Sequence, residues 1–327
     1  SLTGLPYRSA LFIFVLTVLI YVTVGGFRAV TFTDAIQGSI MLVGTLILLI
    51  AVIISGGGIS AIIAELQAEN PNLITPFGAE ATLTPSYVSS FWVLVGVGVV
   101  ALPQIAVRAM SYKNSKSFHH ALIIGTIVVG VIMLSMHLIG AFSRVIVPGI
   151  EVGDRVMPLV ALEILPNWLA GVVLAAPLAA IMSTVDSLLL LVSSTIVKDI
   201  YINYINPDAT RKKIQSISMG ITGLLGIIVF LMAVNPPDLI IWLNLFAVGG
   251  LESAFLWSIV MGLYWEKGNK YGAIASMVVG ISSYILFQSF YPQPLGMHAV
   301  VTSIVLSLIA YVAFSLWKKD PALSLKY

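Results

Sequence analysis

Cysteine is absent from all 327 residues, which excludes disulfides, iron–sulfur clusters and thiolate zinc sites. Charge is almost as scarce: 9% of the residues are Asp, Glu, Lys or Arg, against about 25% in a soluble domain. No HExxH, P-loop, GxSxG or CxxC motif occurs, and no aspartate-rich cluster suggests prenyl transfer. This is not the sequence of an enzyme. A net charge of +2 without a basic patch excludes nucleic acid as a partner, and nothing points to an obligate protein partner. Leu2 to Leu5 lead into an apolar run with no charged segment before them, so no cleavable signal is expected. The chain also opens without Met on a short polar stretch, as a fragment would.

What is there is apolar. Hydrophobic residues make up 59% of the chain and the mean hydropathy is +1.04. A spanning helix needs roughly 20 mostly apolar residues, whereas membrane β-barrels show weak alternating segments. The expected fold is all-α and polytopic, a single transmembrane domain in contact with lipid. Nine spans are read from apolar runs and their breaks: 9–24, 32–54, 87–107, 121–143, 167–196, 214–234, 239–265, 271–290 and 298–317. Between the second and third, the Pro-, Asn- and Glu-containing stretch 59–86 stays outside, with 59–66 a short amphipathic surface helix. A second loop, 144–165, carries both charge signs, and the tail from 318 to 327 is polar. Alternating the loops places thirteen of the sixteen Lys and Arg on one side, leaving Arg8, Arg144 and Arg155 on the other. By the positive-inside rule the chain is a cell-membrane protein with a cytoplasmic C-terminus.

Few polar groups interrupt these spans, and hydrocarbon penalises each of them. The fifth span holds Ser183, Thr184, Asp186 and Ser187. On a helix Ala180, Ser183 and Thr184 share one face, which could offer oxygens to a hard cation while small Ala180 admits a partner's carbonyls. The alternative is that the hydroxyls bond back to carbonyls one turn earlier. Asp34, at the start of the second span, is either a carboxylate complementing the helix dipole or a partner of Ser183, Asp186 and Ser187 in a second cation site. In the third span Gly96, Gly98 and Pro103 weaken the helical ladder, so the span is expected to break where Trp92 and Gln104 flank it. Trp92 is alternatively an interfacial anchor. The seventh span carries Asn244, Gly249, Gly250 and Glu252; Asn244 suits a polar substrate, and Glu252 faces a cavity or pairs with a cation. His137, in the fourth span, reads as a helix–helix hydrogen bond rather than a proton relay. No nucleotide-binding domain is encoded, so the energy source is an ion gradient, worth about 2.3 kcal/mol per charge per 100 mV before any concentration difference.

Tyr21 to Asp34 (YVTVGGFRAVTFTD) with Ala35-Ile36-Gln37, Met182 to Ser187 running on to Lys198-Asp199-Ile200-Tyr201, and Gly262-Leu263-Tyr264-Trp265 with Gly272-Ala273 resemble the sodium/solute symporter family. The resemblance covers the whole chain and implies part of a leucine-transporter-like inverted-repeat bundle. Core helices four to ten would occupy about 9–265, followed by two additional helices. It implies Na+ as the coupling ion, with Ala180, Ser183 and Thr184 as one half of a sodium site and the rest on the first core helix. A second sodium site would fall on Asp34, Asp186 and Ser187 together with Ser183; Asp186 departs from the hydroxyl that relatives often carry. Substrate contacts would come from Trp92, Val95, Gly96, Gln104, Asn244 and Gly249. Within the family, the blocks 103–113, 125–129 and 240–266 are similar to members that import pantothenate, a small organic anion. Proline, a monocarboxylate, or a non-transporting sensor or channel on the same helices are the alternatives.

Overall fold

The computed structural model describes residues 5–150, 152–235 and 240–318. Leu239, the expected start of the seventh span, and residues 319–327 of the expected tail lie outside them. Among the described residues every regular element is helical: α1 Tyr7–Ser55, α2 Ile59–Glu69, α3 Pro85–Phe91, α4 Pro103–Met110, α5 Ser115–Ile146, α6 Val156–Ile164, α7 Asn167–Thr195, α8 Arg211–Ala233, α9 Ile240–Tyr264, α10 Lys270–Phe290 and α11 Ala299–Trp317. Seven of these are long and apolar enough to cross a membrane. The chain divides into two compact units, residues 1–65 with 120–238, and residues 66–119 with 239–327.

In the first unit the two expected opening spans form one helical element, a difference with a clear cause. A straight 49-residue helix would be about 73 Å long, far more than a hydrocarbon core of about 30 Å. The element turns at Gly26, whose φ of 55° and ψ of −152° are not helical. Its first arm meets α8 in antiparallel order, with Tyr7 donating to the Ala233 carbonyl, Phe12 edge-on to Phe230, and Leu19 against Gly226. Its second arm meets α7 in antiparallel order, Asp34 near Asp186 and Gly44 against Ala176. α7 and α8 are joined at Ser193 and Ser218, the start of one helix against the end of the other. The two arms therefore run in opposite directions, and Val18 and Val22 before the turn share a core with Val30 after it and with Leu189. With the broken third span counted, the described residues hold up to eight helices long and apolar enough to cross a membrane, the two-armed α1 being one of them, against the nine spans expected.

The remainder of this unit follows its sequence closely. Ile62 and Leu66, one turn apart, are the buried residues of the surface helix α2. α7 continues from Thr195 into a π-helical stretch ending at Ile205, so the fifth span is long, as expected. Pro177 lies inside α7 and cannot donate to the Val173 carbonyl; Gly44 of α1 approaches that carbonyl. His137 bonds within its own helix, to the Met133 carbonyl at 2.7 Å, where a bond between helices is expected.

The second unit contains the broken span. α3 starts at Thr84, whose hydroxyl accepts from the Tyr87 amide at 3.2 Å. The ladder then loosens to π-helix over Trp92–Val97, tightens to 3-10 helix over Gly98–Ala101, and opens at Leu102. Leu102 is extended (φ −70°, ψ 118°) because the following Pro103 disfavours helical backbone there. α4 departs at 48° from the preceding segment. Leu94 and Ala101 of this segment share a core with Leu256 of α9, Tyr284 of α10 and Ile304 of α11. α10 and α11 approach closely through small residues, Gly272 against Ser315, and Ser276 to Ser307 at 3.0 Å, the packing expected where lipid provides no hydrophobic drive between helices.

Candidate functional site

The residues expected to form the sodium sites all lie on α7 or on the second arm of α1, within the first unit. The Ser183 and Thr184 hydroxyls both donate to the Ala180 carbonyl, each at 3.0 Å. Back-bonding, which the sequence offers as the alternative to cation binding, is therefore present. Three oxygens converge on one face of α7. Thr184 is exposed and Ser183 and Ala180 are half-buried, so hydrocarbon-facing helix packing does not cover this face.

Two residues further along α7, Asp186 points to the opposite side and is fully buried. The Tyr21 hydroxyl donates to its Oδ2 at 2.7 Å, and Ser187 donates to its Oδ1 at 3.2 Å as well as to the Ser183 carbonyl at 2.7 Å. Asp34 lies close enough to act electrostatically on both Asp186 and Tyr21. Gln37, one turn after Asp34 and itself buried, sits beside the Tyr21 hydroxyl. The hairpin at Gly26 creates this arrangement, because it brings Tyr21 of the first arm and Asp34 and Gln37 of the second to one level of α7. Two carboxylates sharing a site repel unless a cation or proton stands with them. Tyr21 and Gln37 were not singled out by sequence reasoning. The available signal was chemical: a tyrosine in a span still needs a partner for its hydroxyl.

The residues expected to contact substrate all lie in the second unit. Trp92, Val95 and Gly96 are exposed on the π-helical turn of the broken span, Trp92 at 78%. Gly96 has open space where a Cβ would stand. Gln104 follows Pro103 at the start of α4, half-buried, and its Oε1 is buried without a partner. Asn244 is exposed on α9. Gly249 is buried under the phenol of Tyr284, whose hydroxyl donates to the Leu245 carbonyl at 3.2 Å. Glu252, one turn on, is fully buried against Gly98, and neither of its oxygens has a hydrogen-bond partner.

Comparison with known proteins gives these sites a context. The family described as "Sodium:solute symporter family" matches residues 1–280. Sodium/pantothenate symporters of Haemophilus influenzae and Escherichia coli K12 are 48% and 47% identical over 311 residues, covering 94% of this chain and 64% of each relative. The osmoregulated proline transporter OpuE of Bacillus subtilis is 30% identical over 328 residues, 98% of this chain and 66% of that protein. The chain thus spans about two thirds of the length of these relatives. A solved Na+-coupled sialic acid symporter in a substrate-bound outward-open state matches with a TM-score of 0.77 at 21% identity, over 97% of this chain and 68% of that one. That likeness shows that the chain shares the all-helical fold of that structure.

Proposed function

Because the chain belongs to the sodium:solute symporter family, a family of membrane transporters, we propose that it forms the larger part of a sodium-coupled importer of a small organic anion, pantothenate above all. The observation that carries the reading is the convergence of the Ala180 carbonyl, the Ser183 hydroxyl and the Thr184 hydroxyl within 3.0 Å on α7. A sodium ion is a hard cation that replaces its water shell with several such oxygens. Three of them, on an uncovered face, make half a shell, and the rest belongs to a partner helix. Holding that ion would favour the substrate-accepting state, and the substrate would draw sodium in by the same linkage.

The group of Asp34, Ser183, Asp186 and Ser187, with Tyr21 beside it, is the second cation site in this reading, with buried Asp186 supplying charge. Trp92, Val95, Gly96, Gln104, Asn244 and Gly249 are proposed to serve the substrate, with the exposed backbone of the broken span offering polar groups to it. The chain sits in the cell membrane with its C-terminus in the cytoplasm. The 30% identity to a proline transporter keeps a second solute in view. The deciding experiment is uptake of labelled pantothenate into proteoliposomes by the protein at the full length of its relatives, with an inward sodium gradient, with potassium in its place, and with unlabelled pantothenate or proline as competitor. The reading requires saturable uptake that collapses without sodium and is competed by pantothenate. Inhibition by proline alone would reassign the solute, and uptake indifferent to sodium would overturn the reading.

A further inference from the structure

Glu252 is used by neither proposed site, and its surroundings are unusual for a carboxylate. It lies on α9 within an apolar run, with no exposed surface. Neither Oε1 nor Oε2 has a hydrogen-bond partner. Gly98, the first residue of the 3-10 stretch, presses against the carboxyl group so closely that any Cβ at that position would collide with it. The groups facing it from the neighbouring elements carry no positive charge. From α10 comes the Tyr284 phenol; the rings of Tyr87 on α3 and His298 at the start of α11 stand behind it. His298 is itself buried, and its Nδ1 accepts from the Val300 amide at 3.3 Å. The 3-10 stretch, Gly98 to Ala101, has no titratable side chain. Lys270 and Lys318 stand over the ring of Tyr271, at the other end of α10.

An ionised carboxylate buried without a partner carries a large desolvation penalty, and inside a membrane it is retained where it serves a function. The cation that satisfies it is decided by space and ligand number. A metal ion needs several oxygens and room for them, whereas Gly98 packs directly onto the carboxyl group and no donor reaches either of its oxygens. A proton needs one oxygen and no room. We propose that Glu252 is a proton-binding site of the second unit, charged with a proton while Gly98 covers it and discharged when the broken span moves away. In the discharge step the O–H bond of the carboxylic acid breaks, the proton passes to a water molecule, and the carboxylate is left hydrated. The segment that must move is the one whose hydrogen-bond ladder changes from π to 3-10, a common location for a functional hinge. The site stands on the geometry of one unit. Its use, transport that responds to protons as well as sodium, rests on the symport reading.

The test uses the full-length protein in lipid. Infrared difference spectra taken across a pH titration report the carbonyl stretch of a protonated acid. The wild type should show this band at neutral pH, and Glu252→Gln, which keeps the size and polarity of the neutral acid, should lose it. Gly98→Ala, which displaces the carboxyl group, should shift the pH at which the band disappears. In parallel, sodium-driven uptake should vary with pH in the wild type and lose that variation in Glu252→Gln. An acid band unaffected by Glu252→Gln would overturn the proton site. A variant that loses the band but keeps the wild-type pH profile of uptake would overturn its role in transport. Should no solute be transported by any variant, the symport reading falls and the infrared spectra still decide the proton site.

Discussion

The hydroxyl of Tyr21 donates to Asp186 at 2.7 Å, from the first arm of a hairpin helix to the middle of another. These residues are 165 positions apart in sequence, and the bond exists because Gly26 turns α1 back on itself. It is shorter than the bond at the other carboxylate oxygen, Oδ1, which accepts from the Ser187 hydroxyl at 3.2 Å. Tyr21→Phe should therefore destabilise the protein by about 1–3 kcal/mol, the usual loss when a buried acceptor loses its donor. Thermal unfolding in detergent would register this as a lower midpoint. If the cluster is also a sodium site, added sodium should recover less of the midpoint in Tyr21→Phe than in the wild type. A wild-type midpoint in the variant would mean the bond contributes nothing.

Ser183→Ala and Thr184→Ala each remove one of three convergent oxygens without altering the α7 backbone. Losing one ligand to a cation should raise the sodium concentration for half-maximal uptake by about tenfold, equivalent to ~1.4 kcal/mol of binding. The maximal rate should be restored at high sodium. Thr184→Ser, which keeps the oxygen, should behave as wild type. Sodium dependence unchanged in both alanine variants would show that these hydroxyls serve only to bond back to Ala180.

Gly26 and Gly220 make a direct comparison of two glycines in spans. Gly26 has φ 55° and ψ −152°, a region that L-residues occupy only under strain of about 1–3 kcal/mol. Gly220 lies inside α8 with open space around a would-be Cβ. Gly26→Ala should destabilise the hairpin by about that strain, and Gly220→Ala should be neutral or stabilising by up to about 1 kcal/mol. Unfolding midpoints of the two variants moving in the same direction would contradict the turn assigned to Gly26.

The sequence was legible where one local rule governed the outcome. Apolar runs located the spans to within a few residues, as with 271–290 against α10 Lys270–Phe290. Pro103 with Gly96 and Gly98 marked the break in the third span. The turn of α1 was legible as Gly25-Gly26, but its form was not. The backbone leaves helical dihedrals at Gly26 alone, so the two spans meet without a loop between them. The sites were half legible. Ala180, Ser183 and Thr184 share a face by periodicity alone. Tyr21 reaches Asp186 only through a tertiary turn, and the contact of Gly98 with Glu252 depends on the packing of two helices far apart in sequence. No periodicity encodes either pairing.

Asn269 ties two helices together at one point. Its Oδ1 caps α10 by accepting from the Tyr271 and Gly272 amides at 3.0 and 3.1 Å. Its Nδ2 donates to the Ser315 and Lys318 carbonyls at 3.0 and 2.7 Å, satisfying the open end of α11. The residue is 8% exposed, so water cannot readily replace these bonds. Asn269→Ala should cost about 2–3 kcal/mol, combining a lost cap with carbonyls left without a donor. Asn269→Asp keeps the cap but offers no donor, and it places a carboxylate beside two carbonyl oxygens. It should therefore be no more stable than the alanine variant, whereas a protein that used Asn269 for capping alone would tolerate Asp almost fully. Unfolding midpoints of the three proteins, measured together, separate the two roles.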